Sequence, residues 1–146
     1  MRPILANSCA LAATAEEARF RIDRPIAGRI ALIVALDCDA AAVVERVAER
    51  PWGAARFFPD AAQLRLAEEL ADADVAILIG TAAAHADTAA AVASACAERG
   101  VMCAAVVLGE QHEVASATAA LRPFARNLLI TEDEDDVAAV LTALRA

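Results

Sequence analysis

Apolar and polar positions follow two rhythms along this chain. Nearly unbroken apolar runs occur at residues 29–36 (RIALIVAL), 74–80 (DVAILIG) and 101–108 (VMCAAVVL). A strand that is apolar on both faces belongs in the middle of a covered sheet. Two weaker runs, residues 54–58 and 127–130, are predicted as edge strands. Between these runs the apolar residues return at helical spacing. Val43, Val44 and Val47 share one face of a helix that Asp39 is expected to cap and that ends near Arg50. Asp60, with Gln63 as capping-box partner, predicts a helix whose inner face is Leu64, Ala67 and Leu70, with Leu66 on the flank. Val92 and Cys96 lie one turn apart in a helix over residues 87–99, which Gly100 stops. Val114, Ala117 and Leu121 mark a helix over 113–121, closed by Pro123. The last helix shows Val137, Val140, Leu141 and Leu144 at i, i+3, i+4 and i+7, with Thr131 as expected cap and Glu134 as its capping-box partner.

Strict alternation of strand and helix predicts βαβ units and a parallel sheet. Right-handed crossovers and short connections leave few topologies, and the order 2-1-3-4-5 keeps the three apolar strands inside. The expected fold is a three-layer α/β/α sandwich, Rossmann-like or flavodoxin-like. It is read as a single domain over 1–146, with an N-terminal helical arm over 1–27 and five β-α units over 28–146. In the arm, Leu11, Ala15, Ala18 and Ile22 share a face before Pro25 and Gly28 break the helix. Met1–Ala6 is read as part of the mature fold, because Asn7, Ser8, Glu16 and Glu17 interrupt any signal-peptide pattern.

Composition narrows the chemistry. Hydrophobic residues make up 60% of the 146 positions, much of the excess being alanine, and self-association as a homo-oligomer is one way to hide such surface. The net charge of −8 argues against nucleic acid as a main partner, since phosphate neutralisation needs clustered cations. Arg19, Arg21, Arg24 and Arg29 are read as a solvated segment. No apolar stretch is long enough to cross a bilayer. Cys9, Cys38, Cys96 and Cys103 form no C-x-x-C pair, and reduced thiols in the cytoplasm fit that spacing. All thirteen basic residues are arginine. Without lysine there is no Schiff base and no P-loop lysine. None of Ser8, Ser94 and Ser116 sits in a G-x-S-x-G turn, and the five glycines are too dispersed for a phosphate loop.

In an open α/β sheet, ligands bind beyond the carboxyl ends of the strands, where strand order reverses. Here that is between the first and third strands. The candidate ligand-binding residues are Asp37, Cys38 and Asp39 after the first strand, Gly80, Thr81 and His85 after the third, and Gly109 and Glu110 after the fourth. Asp37 and Asp39 form either a carboxylate pair for a cation or for acid–base work, or a loop turn with an N-cap. His85 with Asp87, Asp37 and Asp39 would make an oxygen-rich metal site with one imidazole, but a loop residue is the simpler account. The same holds for His112 beside Glu110 and Glu113. No metal, cofactor or catalytic residue is assigned. Cys38 is a candidate nucleophile, and Cys96 and Cys103 read as core. The acidic run Thr131–Asp136 complements a helix dipole. Trp52, Phe57 and Phe58 are read as edge packing or a partner-facing patch.

Asp37 and Asp39 resemble the acidic first-strand end of response-regulator receiver domains, which implies phosphotransfer. The third strand instead ends in Gly80-Thr81, with no phosphate-accepting aspartate, and there is no lysine. Flavodoxins share the expected architecture, yet the loop Asp37-Cys38-Asp39-Ala40 would repel a flavin phosphate. Residues 74–109 resemble the strand-helix-strand unit of FtsZ and tubulin, but Thr81-Ala82-Ala83-Ala84-His85-Ala86-Asp87 replaces that family's glycines. The expected function is therefore a binding or assembly module that holds a small ligand or docks on a protein. The alternative is a small-metabolite transferase or hydrolase built from Asp37, Asp39, Thr81 and His85, with or without a metal.

Overall fold

A computed structural model describes residues 29–144; the predicted helical arm lies outside the described residues. The elements run β1 (Ala31–Ala35), α1 (Cys38–Ala48), β2 (Ala55–Phe58), a 3-10 turn (Ala61–Gln63), α2 (Leu66–Glu69), β3 (Val75–Gly80), α3 (Ala86–Arg99), β4 (Met102–Leu108), α4 (Ala115–Leu121), β5 (Asn127–Thr131) and α5 (Glu134–Ala143). All strand pairs are parallel, in the order β2-β1-β3-β4-β5. This is the predicted sheet, flanked by helices as in a Rossmann-like or flavodoxin-like fold.

The period of two along each strand divides the apolar residues into two cores. Leu32, Leu78 and Val107 face α3 and α4, where Val92, Cys96 and Leu121 pack on them. Ile33, Ile77 and Val106 face the other side, against Val43, Val44 and Val47 of α1 and Val137 and Leu141 of α5. Register places Ile33 between Phe57 and Ile77, so the central strands are sealed on both sides. Truncating Ile77 to alanine would cost about 2–5 kcal/mol, the usual range for a fully buried aliphatic side chain.

Three local expectations are corrected. The continuous helix after Asp60 is a 3-10 turn followed by a single α turn. Leu64, at the end of the 3-10 turn, is extended (ψ 115°), which interrupts the helical ladder. Asp60 does cap, accepting from the Ala62 amide at 2.9 Å. Helix α1 is capped by Asp37 rather than Asp39, because Asp37 is the extended residue and Asp39 is already in the first turn. Helix α5 is capped by Asp133, which accepts from the Asp135 amide at 2.9 Å. Thr131 stands one step back, accepting from the Asp133 amide at 3.1 Å and donating to Asp136. As predicted, Gly100 ends α3 in the left-handed region (φ 69°), and Val101 N–H closes back on Cys96 O at 2.9 Å.

The two sheet edges differ. At β2, Arg56 pairs with Glu69 (2.8 Å) and Asp72 (2.5 Å), which ties the edge to the α2 segment. Trp52 stacks obliquely on Phe57, ring centroids 6.3 Å apart, and donates to Val47 O at 2.7 Å. At β5 the outer side carries Leu129, 41% exposed.

Candidate functional site

The reversal of strand order brings the loop after β1 beside the loop after β3. Asp37 ties them together. One carboxylate oxygen accepts from the Ala40 amide (2.8 Å), capping α1, and from the Thr81 hydroxyl (3.0 Å). The other accepts from the Thr81 amide at 2.8 Å. These bonds engage both oxygens. Asp37 acts here as a strap across the switch point, joining the β1 loop to the β3 loop.

Two glycines shape the same end of the sheet. A Cβ on Gly80 would lie 2.9 Å from the Ala84 Cβ, so the turn after β3 closes tightly over the strand end. Gly109 has φ 139°, and a Cβ there would meet Val114 Cγ1 at 2.7 Å. Its amide donates to Thr131 O at 2.9 Å, which joins the ends of β4 and β5.

Above these strand ends, between α1 and α5, lies an open hollow of about 390 Å³. Its polar walls are Asp39, Arg46, Thr81, Glu132 and Glu134, and its floor includes Leu108 and Gly109. Arg46 reaches across from α1 to grip Glu134 with two contacts, its Nε lying 3.0 Å from Oε2. The guanidinium hydrogen bond holds the Glu134 carboxyl below the usual carboxylate range, and the same bond raises Arg46. One turn on, Arg50 meets Asp135 at 2.5 Å. These pairs clamp α1 to α5 and leave Asp39 and Glu132 as the carboxylates of the hollow without an ion-pair partner among the described residues. Gly109 and Glu132 are shared with a neighbouring hollow of about 540 Å³ over β5, which Arg122 borders.

Of the candidate residues, Asp39, Thr81 and Gly109 line the hollow. Gly80 packs against Ala84 and Leu36. Cys38 is exposed. His85 precedes α3 without a capping bond and is exposed. Glu110 lies with His112 on the exposed turn after β4, 3.3 Å apart. The ligand atoms of Asp37, Asp39, His85 and Asp87 do not converge. Among the described residues the acidic and imidazole groups that do converge are Glu110, His112 and Glu113, all exposed. Cys96 and Cys103 pack as expected, their thiols in contact; the Cys96 thiol and burial together push Cys103 upward.

Arg46, Glu132 and Glu134 line the hollow without having been candidates by sequence. The available signal was spacing. Arg46, in the last turn of α1, and Arg50, just past its end, are four positions apart, and the predicted strand order puts α1 and α5 on the same side of the sheet. No family model matches the chain, and no curated protein matches it.

Proposed function

We propose that this protein is a small-molecule-binding module whose ligand occupies the hollow between α1 and α5. The observation that supports this most is position. The hollow opens beyond the carboxyl ends of the sheet, beside the switch point, where this class of sheet places ligands. Its chemistry narrows the ligand class. Three carboxylates and one guanidinium, the latter already paired with Glu134, favour an amine or guanidinium group over a phosphate. Thr81 adds a hydroxyl for orientation. Catalysis at the switch point is the weaker reading, because the carboxylate it would use most, Asp37, is occupied with structural donors. No helix among the described residues is long and apolar enough to cross a membrane. Free thiols at Cys38, Cys96 and Cys103 support a reducing compartment, the cytoplasm.

The test is a thermal-shift screen with arginine, spermidine, ATP, FMN and magnesium chloride. A ligand at a hundred times its Kd adds about 2.7 kcal/mol of stability, an easily read rise in Tm. The amines should raise Tm, and Asp39→Asn with Glu132→Gln should abolish that rise. A response to ATP or FMN that survives both substitutions would refute the reading.

A further inference from the structure

We propose that β5 is a self-pairing edge, through which two copies join antiparallel about a two-fold axis at Leu129. The two five-stranded sheets would then run on as one.

The strand is last in the sheet order, so only one of its sides is paired with a strand among the described residues. Its sequence, with the flanking residues, is Arg126-Asn127-Leu128-Leu129-Ile130-Thr131-Glu132. An antiparallel two-fold pairing sets positions equidistant from the axis opposite each other. Leu129 then faces Leu129, Leu128 faces Ile130, Asn127 faces Thr131, and Arg126 faces Glu132. The pairs nearest the axis are apolar on both sides, and the end pairs are opposite in charge. The match is specific to this axis. Moved to Ile130, it sets Leu128 against Glu132. Moved to Leu128, it sets Arg126 against Ile130.

The surroundings agree with the sequence. Leu129 is the one large hydrophobic residue among the described residues that is exposed, at 41%. It is opposite Val106 in register, which places it on the α1/α5 side of the sheet. There it borders a mainly apolar hollow of about 380 Å³, walled in part by Val140 of α5 and by Leu144 at its C-terminal cap. Two copies would bring these hollows together across the axis. Arg126 and Glu132 are both exposed, and neither has an ion-pair partner among the described residues. At the β2 edge, by contrast, Arg56 is already paired with Glu69 and Asp72. An uncovered apolar edge strand invites open-ended aggregation, and two-fold closure removes that hazard.

Sedimentation equilibrium of the full chain tests this, with charge exchange as the discriminating step. The unaltered chain should be a dimer at tens of micromolar. Arg126→Glu and Glu132→Arg should each weaken dimerisation by at least about tenfold, since each places like charges opposite one another twice. The double variant should recover to within about threefold of the original, because the exchanged pair is attractive again. Leu129→Arg should be monomeric with unchanged circular dichroism, and its Tm, unlike the parent's, should not rise with protein concentration. A chain that stays monomeric at millimolar concentration overturns the proposal, as does a dimer indifferent to Leu129→Arg. A double variant no better than the singles overturns the axis. A monomer in which the β5 amides not bonded to β4 are exchange-protected also refutes it.

Discussion

Replacing Asp37 by asparagine preserves a good helix cap but breaks the strap between the two loops. Asparagine caps helices about as well as aspartate, so a residue that served only as the cap of α1 would tolerate the change. Asp37 does more, because its two oxygens accept from different amides, Ala40 on one and Thr81 on the other. In asparagine one oxygen becomes an NH2 group. Whichever way the amide is turned, a donor then points at a donor. Leaving a part-buried N–H unsatisfied costs about 1–3 kcal/mol. We therefore expect Asp37→Asn to cost about 2 kcal/mol. Asp37→Ala should cost about 3 kcal/mol, since the cap contributes a further 1 or so. Thr81→Ala, which keeps the backbone donor and loses only the hydroxyl, should cost about 1 kcal/mol or less. Urea unfolding followed by circular dichroism reads these values. With a slope of about 2 kcal/mol/M, Asp37→Asn should lower the midpoint by about 1 M with the slope unchanged. A shift under about 0.25 M would mean the strap contributes nothing beyond the cap.

Two further outcomes follow from the same end of the sheet. Gly109→Ala forces a side chain into a positive-φ backbone and against Val114, and should destabilise by about 3 kcal/mol in the same urea assay. Glu134→Gln should lower the unfolding midpoint slightly at neutral pH, because the Arg46 pair is solvent-exposed. The sign of its pH dependence is fixed by the lowered Glu134 carboxyl. Its stabilisation is present above the ordinary glutamate range, about 4.3, and is lost as pH falls through the lowered folded value. The midpoints of the parent and Glu134→Gln should therefore converge in acid and separate toward neutral pH.

The sheet was legible because its signal is long and redundant. Residues 29–36, 74–80 and 101–108 are apolar on both faces, and only a central strand accepts that pattern. The order β2-β1-β3-β4-β5 then followed from chain connectivity. Caps were less legible. Asp37 and Asp39 are both good capping residues two positions apart, as are Thr131 and Asp133, and local preference cannot choose between neighbours. Side-chain contacts chose, one long-range and one local: Thr81 drew Asp37 into the cap, and the Thr131–Asp136 bond left Asp133 to cap α5. The helix after Asp60 failed because Leu64, Ala67 and Leu70 fit helical spacing yet are served by two separate turns. Half of the hollow was invisible for a different reason. Arg46 and Glu134 are 88 positions apart, and their pairing exists only once the sheet has placed α1 beside α5.

The location of the ligand is the central claim, and amide chemical-shift mapping tests it most directly. Spermidine titrated into the nitrogen-15-labelled chain should perturb Asp39, Thr81, Gly109 and Glu132 together, with one common dissociation constant. Saturable shifts centred instead on residues 61–66 and 87–92, the hollow on the opposite face of the sheet, would contradict the account.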